Sequence, residues 1–149
     1  MRISAVSPAT EGVAALFREL DCELEARYPG NPCRGIDVPN FERAGGYFVV
    51  AQEAVILLGC GAFRPLSDSF AEIKRMFVRS TARRRGVGRS VLRHLEEEIR
   101  RQKFRSIVLE TGHGQPEAIG LYESEGYFPI PAFLDYVGNP VSRCYAKKA

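Results

Sequence analysis

The run Arg83-Arg84-Arg85-Gly86-Val87-Gly88 sets three guanidinium groups beside two glycines, and Arg89 follows directly. Glycines let a backbone bend so that successive N–H groups point into one concavity. Where a helix begins at such a bend, its unpaired N–H donors and the positive end of its dipole join that concavity, which then attracts phosphate. Neighbouring arginines neutralise phosphate oxygens through charge-assisted hydrogen bonds. The competing explanation is a plain turn followed by a solvated basic helix start. Two glycines, the arginines and a helix start in one place favour phosphate over that explanation.

Which phosphate ligand the loop would take is a separate question. A Walker loop is excluded because no Gly-Lys-Ser/Thr is present. A dinucleotide fold would use Gly86-x-Gly88 before a helix, with Glu110 at the end of the next strand as the ribose acid. Against it, Val91 stands where the third glycine belongs, and seven residues, Arg79 to Arg85, separate strand from glycine. The chain is also short for two mononucleotide halves.

These residues need elements to hold them. Met1 to Val6 reads as a strand, and Thr10 as the N-cap of a helix whose stripe is Val13, Leu16, Phe17, Leu20 and Leu24. Tyr28 to Pro39 holds three prolines and two glycines, too many breakers for a regular element, and its length suits a lid or binding loop. Tyr47 to Ala51 and Val55 to Phe63 form a hairpin, and Phe70 to Val78 a third strand. A helix from about Val87 to Lys103 carries the stripe Val91, Leu92, Leu95 and Ile99, with Glu96–Arg100 and Glu97–Arg101 as i,i+4 pairs. Ser106 to Glu110 is a buried strand. Pro116 opens another helix, which Gly126 stops, and strands follow around Tyr127 to Ile130 and Ser142 to Lys147.

At 149 residues with 45% hydrophobic content, the chain reads as one domain over residues 1–149 that builds a core without disulfides or metals. Cys22, Cys33, Cys60 and Cys144 lie far apart with no C-x-x-C pair, so no zinc site is indicated and a reducing cytoplasm is expected. No run approaches the roughly 20 apolar residues of a membrane span. The net charge of +3 is unevenly placed: residues 72–105 hold twelve Lys and Arg against four Glu, a local +8. Such a segment suits a polyanion, either a phosphorylated small molecule or nucleic acid. Nucleic acid is disfavoured because Glu96, Glu97 and Glu98 interrupt the stripe and no aromatics interleave with the arginines.

The same residues resemble the GNAT superfamily of acyl-CoA-dependent N-acetyltransferases. Arg83, Gly86 and Gly88 match its pyrophosphate signature Q/R-x-x-G-x-G/A, placed after a strand and before a helix. Glu72-Ile-Lys-Arg-Met-Phe-Val78 resembles the strand before the signature. Ala118-Ile-Gly-Leu-Tyr122 with Gly126-Tyr127 resembles the family's A-x-x-L-Y-x-x-x-G-[FY] helix. The resemblance covers roughly residues 70–128. Many members carry Asn near the start of that second helix, where Gln115 and Pro116 stand here.

The resemblance implies an α/β (α+β) fold with a mixed central sheet of about six to seven strands flanked by about four helices. It also implies acetyl-CoA as co-substrate, no metal, and direct attack by an amine of a small molecule or peptide. Arg83, Arg84, Arg85, Gly86, Val87, Gly88 and Arg89 would hold the pyrophosphate, and the backbone of Met76, Phe77 and Val78 the pantetheine arm. Glu72 and Tyr122 would be catalytic. A lysine-like amine of pKa about 10.4 costs about 4.6 kcal/mol to deprotonate at pH 7, and direct transfer to a carboxylate near 4.3 is uphill by about 8 kcal/mol, so a water relay, or deprotonation after attack, is expected. A phenol of pKa about 10 protonates a thiolate of about 8.5 at a cost of about 2 kcal/mol unless the site lowers it. Glu72 has a structural alternative, an ion pair with Lys74 or Arg75, and Tyr122 has one as a core tyrosine. His94 and His113 read as solvated, Cys60 as a buried small hydrophobe, and Arg34 and Asp37 as solvated loop residues. A non-catalytic acyl-CoA sensor remains the alternative, and the oligomeric state, a homodimer included, is open.

Overall fold

Strand β2 (Tyr47–Glu53) shows why the sheet of this protein needs cover on both faces: Phe48, Val49, Val50 and Ala51 are buried in succession. A strand buried on both sides reads as a continuous apolar run rather than an alternation. The structure is a computed structural model, and it describes residues 1–31 and 35–149. Besides β2, the elements are β1 (Arg2–Ala5), α1 (Val13–Arg27), α2 (Val38–Arg43), β3 (Ile56–Pro65) and β4 (Phe70–Val78). They continue with α3 (Val87–Arg101), β5 (Ser106–Gly112), α4 (Pro116–Ser124), β6 (Phe128–Ile130) and β7 (Ser142–Lys148).

The seven strands form one sheet in the order β1-β2-β3-β4-β5-β7-β6. All neighbours are antiparallel except β4 and β5. The mixed sheet and four α-helices agree with the expected architecture. One face packs Val49, Phe63, Ile73, Ile107 and Leu109 against Val91, Leu92, Leu95 and Ile99 of α3. The other packs Phe48, Val50, Cys60 and Ala62 against Val13, Leu16 and Leu20 of α1.

Two expectations are revised. Helix α1 starts at Val13 with Gly12, not Thr10, as N-cap, because Gly12 takes φ 89° and turns the chain into the helix. The segment expected to lack regular structure contains the start of α2, where Asp37 caps by accepting from Asn40 N and Pro39 sits in the first turn. A first-turn proline breaks nothing, since its missing N–H has no helical acceptor there. Of the expected lid or binding loop from Tyr28 to Pro39, residues 32–34 lie outside the described residues.

The pairs Glu96–Arg100 and Glu97–Arg101 do not form. Glu96 lies on the buried side of α3 and accepts from Tyr127 Oη at 2.8 Å and Lys147 Nζ at 2.9 Å. Burying a carboxylate needs such compensation, and a solvated i,i+4 partner does not provide it. Arg101 pairs one residue closer, with Glu98 at 2.8 Å.

Two irregularities shape the centre of the sheet. Between Lys74 and Phe77, β4 carries one residue more than β3, a bulge at which Arg75 takes φ 55°. Pairing between β4 and β5 then covers only Phe70↔Ser106 to Ile73↔Leu109. A bulge bends and twists its strand, and the two central strands diverge beyond it.

Candidate active site

The diverging strands open a cleft. Lys74, Arg75 and Met76 of β4 form one wall, and Glu110, Thr111 and Gly112 of β5 the other. Leu20 and Leu24 of α1, with Tyr28 directly after it, cover one side, Ala118 and Tyr122 of α4 the opposite side, and Tyr136 and Asn139 close it. Residues 74–78 have no strand partner on the β5 side, so their main chain is open to an extended ligand.

At one end lies the glycine loop. After β4 a single 3-10 turn, Ser80–Ala82, leads into Arg83, and both Arg84 (φ 64°) and Gly86 (φ 78°) take left-handed conformations. Gly86 is the N-cap of α3 and makes no side-chain cap, which leaves first-turn N–H donors for a ligand. A Cβ at Gly88 would meet only Leu121 and Val78 side-chain atoms at 3.5 Å, an ordinary contact. Packing therefore does not require glycine at position 88. The loop fits pyrophosphate.

The arginines are less available than their sequence suggests. Arg83 donates to Val78 O at 2.9 Å and to Glu23 Oε2 at 3.0 Å. Arg85 pairs with Glu53, and Arg89 with Glu125 and Ser124. Arg84 makes no ion pair among the described residues.

At the other end of the cleft, Glu72 is 1% exposed. It pairs with neither Lys74 nor Arg75. Its Oε1 accepts from Arg64 Nε at 2.7 Å and its Oε2 from Tyr136 Oη at 2.8 Å. Lys74 instead reaches Tyr136 Oη at 3.4 Å, and Arg75 pairs with Asp21 at 2.7 Å while stacking over Phe17. Alternation explains this: Arg64 lies directly across from Glu72 in the β3–β4 ladder. Tyr122 is buried in α4 edge-on to Tyr127. Burial, and then the Glu110 charge, push its phenol well above the ordinary range. Burial followed by the charge and hydrogen bond of Glu72 does the same to Tyr136.

This arrangement can be set beside known proteins. A sequence model described as the Acetyltransferase (GNAT) family matches residues 13–127. The chain belongs to this family. As a GNAT protein it is an acyl-CoA-dependent N-acetyltransferase. Among its relatives, an IAA acetyltransferase of Azospirillum brasilense is 33% identical over 141 residues, 94% of this chain and 92% of that one. A putative acyl-CoA N-acyltransferase from Klebsiella pneumoniae shares the structure with a TM-score of 0.83 at 26% identity, covering 99% of this chain and 96% of that one. A GNAT family acetyltransferase from Elizabethkingia anophelis with acetyl-CoA bound shares the fold at 15% identity, with a TM-score of 0.71 and coverage of 99% and 97%.

The rest of the GNAT chain accounts for its uneven charge. Three acids of α1 meet the basic segment: Asp21 pairs with Arg75, Glu19 with Arg79 and Glu23 with Arg83. Among the described residues, no helix is long and apolar enough to cross a membrane.

The remaining side chains divide between expected and unexpected surroundings. His94 is not simply solvated, since it stacks on Tyr47 and its Nε2 lies 3.1 Å from Tyr47 Oη. His113 is exposed and sits edge-on to Tyr28. Asp37 is a helix cap, and Arg34 lies outside the described residues. Cys60 is buried, and burial pushes its thiol up to about 12, as befits a small hydrophobe. Gln115 closes the turn before α4, its Oε1 accepting from Gly112 N at 3.4 Å and Thr111 Oγ1 at 3.3 Å.

Sequence reasoning missed Tyr136 and Arg64, which hold Glu72. Tyr136 lies in a Pro- and Gly-containing stretch with no signature. Arg64 had a detectable signal, because opposite charges at facing positions of a β3–β4 hairpin are a cross-strand pair.

Proposed function

We propose that this chain moves an acetyl group from acetyl-CoA to the amine of a small molecule or peptide by direct attack. The observation that carries the reading is the parting of β4 and β5 after Ile73 and Leu109, which sets unpaired main chain between the glycine loop and the Glu72–Tyr136 pair. Acetyl-CoA supplies the thioester. The N–H groups at Gly86 to Gly88, with Arg84, hold the pyrophosphate. Arg83, Arg85 and Arg89 join by exchanging carboxylate for phosphate. Main-chain groups of Met76 to Val78 align the pantetheine arm and donate to the thioester oxygen as negative charge develops on it.

Proton handling falls to three side chains. The attacking amine gives its proton to Tyr136 Oη while Tyr136 passes its own to Glu72 Oε2, so the phenol ends as it began and the carboxylate is neutralised. This is the relay that a buried carboxylate needs, because Glu72 does not itself line the cleft. Tyr122 acts on the leaving sulfur. With its phenol pushed up by burial, full proton transfer to the thiolate costs more than the roughly 2 kcal/mol of an unperturbed phenol, so it stabilises the sulfur by hydrogen bonding.

The test is a calorimetric titration with acetyl-CoA and dephospho-CoA, followed by an amine panel scored for free CoA and acetylated product. Acetyl-CoA binding with transfer to some amine supports the reading. Binding without transfer to any amine leaves the acyl-CoA sensor in its place, and no binding removes both.

A further inference from the structure

The chain has four lysines, at positions 74, 103, 147 and 148. Lys103 and Lys148 are exposed, and Lys147 is paired with Glu96 at 2.9 Å. Of the four, only Lys74 lines the cleft, where it is half-buried. Its Nζ approaches Tyr136 Oη at 3.4 Å and has no carboxylate within ion-pair distance among the described residues. The acids nearby bond to other groups: Glu72 accepts from Arg64 and Tyr136, and Glu110 from Ser142 Oγ at 2.6 Å.

A half-buried ammonium without an ion pair is disfavoured, because burial penalises the charged form. Burial pushes the Lys74 ammonium below its usual range; the charge of Glu72 opposes this, Arg64 adds to it, Glu110 opposes it and Arg75 adds to it. A desolvated lysine that gives up its proton is a nucleophile. Its place on β4 brings it near an electrophile. Lys74 stands two residues before Met76, where the main chain that aligns the thioester begins, a separation of about 7 Å along a strand. The flexible four-carbon stem spans such a gap. Tyr136 Oη, already beside Nζ, is the group that takes the proton of an attacking amine in the relay to Glu72.

We infer that Lys74 is itself an acetyl acceptor: with acetyl-CoA bound and no external amine in the cleft, the protein acetylates its own Nζ. This rests on the transferase reading and names a modification site within that cleft. The neutral Nζ attacks the thioester carbonyl carbon, so a C–N bond forms and the C–S bond breaks. One Nζ proton passes through Tyr136 to Glu72, and CoA leaves as the thiolate beside Tyr122. The side chain that remains is N-acetyl-lysine.

The experiment incubates the protein with acetyl-CoA and no amine, at protein concentrations about tenfold apart, and follows all four lysines by peptide mass mapping. Because the reaction is intramolecular, we expect Lys74 to gain its acetyl group at least about tenfold faster than the exposed Lys103 and Lys148, at a rate that dilution leaves unchanged. Lys74→Arg should bind acetyl-CoA as wild type does and gain no fast acetyl group. A second arm needs no CoA: trace labelling with acetic anhydride across a pH series should give Lys74 a midpoint below that of Lys148.

The inference is overturned if Lys74 is acetylated no faster than Lys103 and Lys148, if its rate rises with protein concentration, or if its labelling midpoint matches theirs. Transfer to an external amine with Lys74 left unmodified sinks the inference and spares the transferase reading. Acetylated Lys74 without transfer to any external amine does the reverse, and an absence of acetyl-CoA binding sinks both.

Discussion

Tyr136 donates to Glu72 Oε2 at 2.8 Å across 64 residues of chain, joining the stretch after β6 to the first half of β4. The buried carboxylate thus meets the cleft only through a phenol. Tyr136→Phe keeps the ring and removes that link, so kcat should fall by about 100-fold while acetyl-CoA affinity stays the same. Stopped assays at saturating acetyl-CoA check the rate, and titration checks the affinity. An unchanged kcat would remove Tyr136 and Glu72 from the proton path together.

Tyr122→Phe tests a different step. If the phenol only hydrogen-bonds the departing sulfur, kcat falls by about 10- to 100-fold, the scale of one lost hydrogen bond to a charged group. Because burial raises this phenol, no limb of the wild-type pH–rate profile below pH 10 should belong to it. A limb that vanishes in the variant would show full proton transfer instead.

The two loop glycines should separate. Gly86 takes φ 78°, so Gly86→Ala costs about 1–2 kcal/mol of stability. Gly88→Ala meets only ordinary contacts and should leave the melting temperature unchanged while weakening acetyl-CoA binding by more than about tenfold. Thermal unfolding and calorimetry on both variants check the split.

Glu23 holds Arg83 at 2.9 Å in the ligand-free protein. Replacing it by Gln frees the guanidinium, and acetyl-CoA should bind about 2- to 5-fold tighter, the worth of a partly exposed ion pair. The gain should shrink in high salt.

Stability should form a plateau in pH. Arg93 and Arg89 hold the Glu125 carboxyl below its ordinary range, and Arg101 does so for Glu98. These acids contribute above the ordinary carboxylate value of about 4.3, and the contribution is lost as pH falls through their lowered values. Burial raises the phenols of Tyr122, Tyr127 and Tyr136, so their contribution is present below about pH 10 and lost as pH rises beyond it. Melting temperatures from pH 3 to 11 should fall at both ends. A steady decline from pH 8 to 5 would contradict this account.

Strand β4 and the loop after it were legible because their signals are local: an apolar run ending at Val78, then glycines before an amphipathic stripe. Tyr122 was legible through its helix. The bulge at Arg75 was not, since nothing in Lys-Arg-Met-Phe marks a left-handed residue, yet that bulge opens the cleft. The partners of Glu72 were also hidden, because Tyr136 arrives from far along the chain through packing rather than pattern. Asp37 and Pro39 were read as loop residues although a cap followed by a first-turn proline is a helix start. The error lay in counting prolines without their position.

The order of strands has a consequence for how the molecule comes into being. Strand β7, the last in the chain, lies between β5 and β6, and β6 has no other neighbour. While the ribosome is still delivering residues 1–104, β1 to β4 can pair and α3 can cover them, because every contact among them is already translated. The far wall of the cleft must wait. Until residues 142–148 emerge, β5 has a bare outer edge and β6 has nothing to join, so a nascent chain carries its glycine loop well before it has anywhere to place a substrate.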